Sequence, residues 1–179
     1  MTAHDILHIK RLDISLRTGE KILNDVDLAI GPGRILGVIG ESGAGKSMIG
    51  SAIADTLPTA LTISRGSIEF DGLTLTDMTP KTRRDLLGRD IGFIPQEPMT
   101  ALNPSLTIGQ QVGRHLARIG IRSPRIREQR AIDLFSEVGL SRPKELLGSY
   151  PHQLSGGMMQ RVLIAMAFAV LADRERHPV

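Results

Sequence analysis

The chain has 179 residues, and among them there is no cysteine and no tryptophan, one tyrosine and four phenylalanines. The absence of cysteine excludes a disulfide framework and any thiolate metal site. It is compatible with a reducing compartment. Long apolar runs are missing too. The longest, Val162 to Ala172, has 11 residues, short of the roughly 20 needed to cross a bilayer. Met1 to Lys10 mixes charged with apolar residues and has no apolar h-region, so it does not read as a signal peptide. No internal repeat or low-complexity tract is visible. What is there is ordinary for a folded protein. The apolar fraction of 41% and charged fraction of 23% exclude disorder, and the length fits about one domain with a core of its own.

The net charge is +3 and the isoelectric point about 9.7. Arginine is dense from Arg114 to Arg130. A nucleic-acid footprint, anionic lipid headgroups, a membrane-embedded partner and a solvated helical face all fit such a stretch. The solvated face is favoured, because aspartate and glutamate are spread through the rest of the chain.

The first third reads as short strands over Ile6 to Ile14 and Val26 to Ile30, with a turn at Gly31-Pro32-Gly33. Ile35-Leu36-Gly37-Val38-Ile39 is continuously apolar, the mark of a strand buried on both faces. An apolar helix is expected from Met48 to Leu57. Arg65 to Gly72 alternates and ends in Asp-Gly, as a hairpin-like edge element does. Ile91 to Ile94 reads as another apolar strand. The periodicity from Ile108 to Val138 is helical, broken near Gly120 and Ser123-Pro124. A helix apolar all round, and so expected to be buried, starts at Gly156. The sum is one α/β core with a small antiparallel annex and a helical insertion.

Gly40-Glu41-Ser42-Gly43-Ala44-Gly45-Lys46-Ser47 matches the phosphate-loop pattern G-x-x-x-x-G-K-[ST]. Its glycines permit backbone angles closed to other residues. Successive N–H groups then converge as an anion nest, and the following helix turns its positive end to the phosphates. Lys46 supplies a point charge for the β- and γ-phosphates, and Ser47 a hydroxyl for Mg²⁺. The alternative is a plain glycine-rich turn. The apolar run before the motif and the helical pattern after it speak for nucleoside triphosphate binding.

A second glycine motif, Leu154-Ser155-Gly156-Gly157-Met158-Met159-Gln160-Arg161, opens the last helix. Ser155 is a good N-cap, and two glycines leave bare N–H groups at a positive helix end. One triphosphate rarely needs two distant helix starts of one monomer. A dimer in which each chain caps the other's nucleotide does. An ordinary capped core helix is the plainer alternative.

With these two motifs the chain resembles the nucleotide-binding subunits of ABC transporters. Phe93-Ile94-Pro95-Gln96-Glu97-Pro98-Met99-Thr100-Ala101-Leu102-Asn103-Pro104 and Tyr150-Pro151-His152-Gln153, running on into the second motif, are similar to the bacterial dipeptide, oligopeptide and nickel importer branch. The resemblance runs from about Ile6 to Ala169. It implies an ABC-type phosphate-loop core with β annex over 1–98, a helical subdomain over 99–153 and a signature helix over 154–170. It implies ATP and Mg²⁺ as cofactors, held by residues 40–47. Gln96 would act as the catalytic and metal-facing glutamine. Ser155, Gly156, Gly157 and Gln160 would meet the γ-phosphate of an opposite ATP-binding subunit. Transmembrane permease subunits would dock on the helical subdomain, with a solute-binding protein engaged indirectly and no nucleic acid. The expected place is peripheral, at the cytoplasmic face of a bacterial inner membrane.

Two stretches depart from the family pattern. The family stacks adenine on an aromatic just after the first strand, where this chain has Ile14-Ser15-Leu16-Arg17; Leu16 offers apolar contact only. After the signature helix the family has an apolar strand ending in Asp-Glu, then a switch histidine. Val170-Leu171-Ala172-Asp173 mimics that strand faintly, but Asp173 follows Ser155 by 18 residues, and helix, loop and strand together need roughly 20 or more. Arg174 stands where the glutamate belongs, and His177 follows with no intervening fold. Residues 171–179 therefore read as an aberrant tail and the cassette as C-terminally incomplete, with an exposed apolar sheet edge. Two further functions stay open at this point. One is a remnant or pseudo-subunit that binds without turnover. The other is an ABC-type DNA-repair ATPase, disfavoured because Ser47 to Ser155 has neither heptads nor cysteine clusters.

Overall fold

A computed structural model describes residues 5–176, with side chains as far as residue 169. The chain divides into two compact units between Arg84 and Asp85. The first holds strands β1 (Leu7–Leu16), β2 (Lys21–Ile30), β3 (Leu61–Phe70) and β4 (Leu73–Thr74), with helix α1 (Lys46–Ile53) and most of α2 (Pro80–Leu86), which runs across the boundary. The second is helical among its described residues: α3 (Pro98–Ala101), α4 (Ile108–Arg118), α5 (Pro124–Glu137), α6 (Pro143–Leu146) and α7 (Gly156–Arg176). No helix among the described residues is long and apolar enough to cross a membrane.

The sheet is antiparallel in the order β2-β1-β3-β4. Arg65–Gly72, expected at an edge, therefore lies inside. Its strand begins earlier, at Leu61, and pairs with β1 along its length, so β4 becomes the edge beyond the Asp71-Gly72 turn. Ile9, Leu12, Ile14 and Ile68 are fully buried. The spacing of Ile9 and Leu12 breaks the period of two, because three neighbouring strands bulge together. Arg11 (φ 48°), Asp25 (φ 53°) and Gly66 (φ 89°) all take left-handed backbone there. A Cβ on Gly66 would lie 2.4 Å from the carbonyl oxygens of both Lys10 and Arg11. Asp13, almost wholly buried, ties the bulge together. Its carboxylate accepts from Lys21 Nζ at 2.7 Å and from the Asp25 amide at 2.6 Å. The Lys21 ammonium first, and the Asp25 amide second, hold the Asp13 carboxyl below the usual carboxylate range.

In the second unit Ile108, Val112 and Leu116 recur every four residues along α4 and are fully buried. They pack with Leu134 and Phe135 of α5 and Val162 of α7. α4 starts with a capping box: Thr107 Oγ accepts from the Gln110 amide at 3.2 Å, and Gln110 Oε1 from the Thr107 amide at 3.0 Å. α7 was expected to be buried all round. Only one side is, since α4 and α5 cover one flank and Phe168 remains half exposed. Its backbone stays helical through Val170–Asp173, where the strand mimic was discounted. The side chains of Asp173 and Arg174, and His177 altogether, lie outside the described residues.

The largest departure concerns the two apolar runs. Ile35–Ile39 forms no strand, and Ile35 and Ile39 are 99% and 95% exposed. Ile91 makes one isolated parallel bridge to Leu87, and Phe93 and Ile94 stay exposed. A strand exists through hydrogen bonds to its neighbours. Among the described residues no segment pairs with either run in a ladder, so neither apolar sequence becomes a strand.

Two outcomes follow for the sheet. Gly66→Ala lowers unfolding stability by about 2 kcal/mol or more, read by urea denaturation. Asp13 has a lowered folded pKa, so its contribution is present above the ordinary value of 3.8 and disappears as pH falls through the folded value. Asp13→Asn is less stable than the parent at pH 7, and the difference narrows in acid below pH 3.8; thermal melts across pH measure both.

Candidate nucleotide site

The phosphate loop is held from both sides of α1. At its start, Gly43 (φ 85°) and Gly45 (φ 80°) are left-handed. Gly45 is also the N-cap of α1, and a Cβ on it would lie 2.5 Å from Leu23 Cδ2. Leu23 belongs to β2 and is itself buried. The loop backbone thus rests directly on the sheet at a point where only glycine fits. Ala44 N–H donates to Glu41 O at 3.3 Å and Met48 N–H to Gly45 O at 2.9 Å, which closes the turn into the helix. Lys46 folds back over this turn, and its Nζ donates to Gly40 O at 2.8 Å and Glu41 O at 2.5 Å. Ser42 and Ser47 are exposed, Ser47 on the first turn of α1.

At the other end, Arg83 of α2 anchors α1. Its side chain is 9% exposed, and the guanidinium donates to the carbonyls of Ala52 and Ile53 and pairs with Asp55 Oδ1 at 3.5 Å. A cation at a helix C-terminus meets orphan carbonyls and the negative dipole end. This clamp has no signature in the sequence. Arg83 is one of many arginines, and its partners lie about thirty positions away.

The loop is chemically suited to an anionic phosphate chain. Left-handed glycines turn backbone N–H groups toward one point, a helix N-terminus backs them, and a lysine stands over them. Its donors fit ATP with Mg²⁺: Lys46 would serve the terminal phosphates and the Ser47 hydroxyl the metal. Bound there, the metal would neutralise charge on the phosphate oxygens.

Gln96 and the second motif belong to the other unit. Gln96 sits exposed in the turn before α3. Ser155 caps α7, its Oγ accepting from the Met158 amide at 3.3 Å and its carbonyl from the Met159 amide at 3.0 Å. Leu154 is buried and fixes the turn, while Gln160 is exposed beside it. Arg161 points away, donating to Gly139 O at 2.8 Å. Gly156 and Gly157 are exposed, and an added Cβ on either would meet nothing within 4 Å. Among the described residues no neighbour requires them to be glycine. Bare backbone at a helix N-terminus leaves its N–H groups open to an anion. Tyr150 stacks on His152 at 5.6 Å beside this turn, a contact no periodicity announces.

The ABC transporter family profile matches residues 23–173. The dipeptide transport ATP-binding protein DppD of Haemophilus influenzae is 36% identical over 167 residues, covering 92% of this chain and 51% of the relative. DppD of Escherichia coli strain K12 is 40% identical over 149 residues, covering 83% and 46%. The oligopeptide transport ATP-binding protein OppD of Lactococcus lactis is 37% identical over 172 residues, covering 94% and 51%. The chain thus spans about half the length of these curated relatives. Among solved structures, the ATP-binding cassette MJ0796, in a dimeric post-hydrolysis state bound to ADP and Pi, aligns with a TM-score of 0.81. It is 28% identical, covering 92% of this chain and 70% of that one.

The glycines of the two motifs differ in what an added methyl would meet, so they separate in stability. Gly45→Ala destabilises by about 2 kcal/mol or more through left-handed strain and the Leu23 contact. Gly157→Ala keeps the melting temperature or raises it slightly, since alanine is the better helix former by about 0.5–1 kcal/mol. Differential scanning fluorimetry on the two variants measures the contrast.

Proposed function

This chain belongs to the ABC transporter family, and from that premise we propose that it is the ATP-binding subunit of an importer for peptides or related small solutes. The observation that carries the reading is the pairing of two glycine-built helix starts. One has glycine because the fold needs it, at Gly45 against Leu23; the other has glycines the fold does not need, Gly156 and Gly157. In this reading ATP lies in the backbone cradle of residues 40–47. Lys46 exchanges its two carbonyl acceptors for phosphate oxygens, and Ser47 faces Mg²⁺. Gln96 faces the metal or the attacking water. Ser155, Gly156, Gly157 and Gln160 close over the γ-phosphate held by a second ATP-binding subunit, identical or sister. Closure and reopening of that pair would drive permease subunits seated on residues 99–153, at the inner face of the membrane. The branch assignment rests on the relatives, whose names specify dipeptide and oligopeptide transport.

Lys46→Ala loses at least about a hundredfold in Mg²⁺-dependent ATP affinity, about 2.7 kcal/mol, by titration calorimetry. An unchanged affinity sinks the nucleotide reading.

A further inference from the structure

The segment leading to Gln96 lies against α7. Gly92 approaches so closely that an added Cβ would be 2.9 Å from the Ala167 carbonyl oxygen and 3.4 Å from Ala167 Cβ. Directly after Gln96, α3 packs on the same helix. His115 of α4 completes the contact. Its Nε2 is 2.9 Å from the Met166 carbonyl oxygen. The ring's Cε1 edge lies beside Gly88, where an added Cβ would be 3.4 Å from Cε1. Gly88 is left-handed (φ 84°), and its N–H donates to Ile91 O at 2.8 Å. One imidazole therefore bonds α4's neighbour helix α7 and lies beside the turn that feeds the Gln96 segment. A carbonyl can only accept, so Nε2 carries the proton. Burial pushes the ring's pKa below its ordinary value, so it is neutral at pH 7. The adjoining apolar positions Val112 and Leu116 already fill the core. A polar ring at position 115 adds direction rather than volume.

We propose that His115 and Gly92 form a joint that clamps the Gln96 segment to α7, so that Gln96 and the Ser155–Gly157 helix start move as one body. His115 is thus a positioning residue for both. Packed side chains and backbone contacts with one discrete arrangement transmit displacement in this way. The consequence for function rests on the reading of Gln96 and Ser155–Gly157 as nucleotide-facing groups. The joint itself does not.

Because the chain has no cysteine, spin labels can be placed at Glu97→Cys and Gln160→Cys, both exposed sites. The distance distribution between them is read by pulsed electron paramagnetic resonance on the full chain. In His115→Leu the distribution broadens about twofold. In His115→Gln, which retains an N–H near the Nε2 position, it returns to the parent width. Ile108→Ala, a cavity in the same helix, lowers the melting temperature and leaves the width unchanged. Gly92→Ala shifts the mean distance as the segment lifts off Ala167, and it carries the test should His115→Leu fail to fold. A parent-like width in His115→Leu, equal broadening in His115→Gln or Ile108→Ala, or an unshifted Gly92→Ala overturns the joint. ATP titration of the unlabelled parent chain, with Gln160 intact, reports separately on the nucleotide reading, and its failure leaves the distance result standing.

Discussion

The close approach of Gly45 to Leu23 is the contact on which the candidate site depends. A phosphate cradle needs successive N–H groups aimed at one point, which calls for left-handed backbone that glycine adopts readily. Leu23 supplies a constraint from β2, at the 2.5 Å an added Cβ would have to share. The antiparallel sheet is therefore part of the site's machinery. Its bulge sets where β2 runs, and Asp13, through Lys21 and Asp25, sets the bulge. Arg83 does the complementary task at the far end of α1, where the helix would otherwise expose its last carbonyls. An eight-residue helix is too short to be stable by itself. Fixed at both ends, it becomes a platform with one orientation.

Glycine has two distinct meanings in this chain. At Gly45, Gly66 and Gly92 an added carbon collides with something specific: a leucine methyl, two carbonyls, a helix backbone. There the residue records how the chain packs on itself. At Gly156 and Gly157 the space is open. There no described neighbour accounts for the glycine. Sequence motifs alone do not separate these cases, since both appear as glycine before a helix.

Local chemistry was legible in the sequence where it depends on neighbours in the chain. The phosphate loop, the Ser155 cap, the break at Ser123-Pro124 and the four-residue spacing of α4 all follow from short-range rules. What could not be read depends on distant partners. Arg83 finds carbonyls about thirty positions away, and His115 a carbonyl 51 positions away. The triple bulge at Arg11, Asp25 and Gly66 is invisible because each residue is unremarkable until three strands align. The two apolar runs failed for the converse reason. Ile35–Ile39 and Ile91–Ile94 have the composition of buried strands, and composition reports what a segment can become once it is paired.

That failure is informative about how the motifs and the scaffold divide the work. The nest, the lysine and the helix start form although the preceding run is unpaired and its isoleucines lie almost bare. Among the described residues the loop and its helix are held by Leu23 beneath Gly45 and by Arg83 at the far end of α1. A central strand beside Ile35–Ile39 would add rigidity below the loop and bury apolar surface, at about 25 cal/mol per Å².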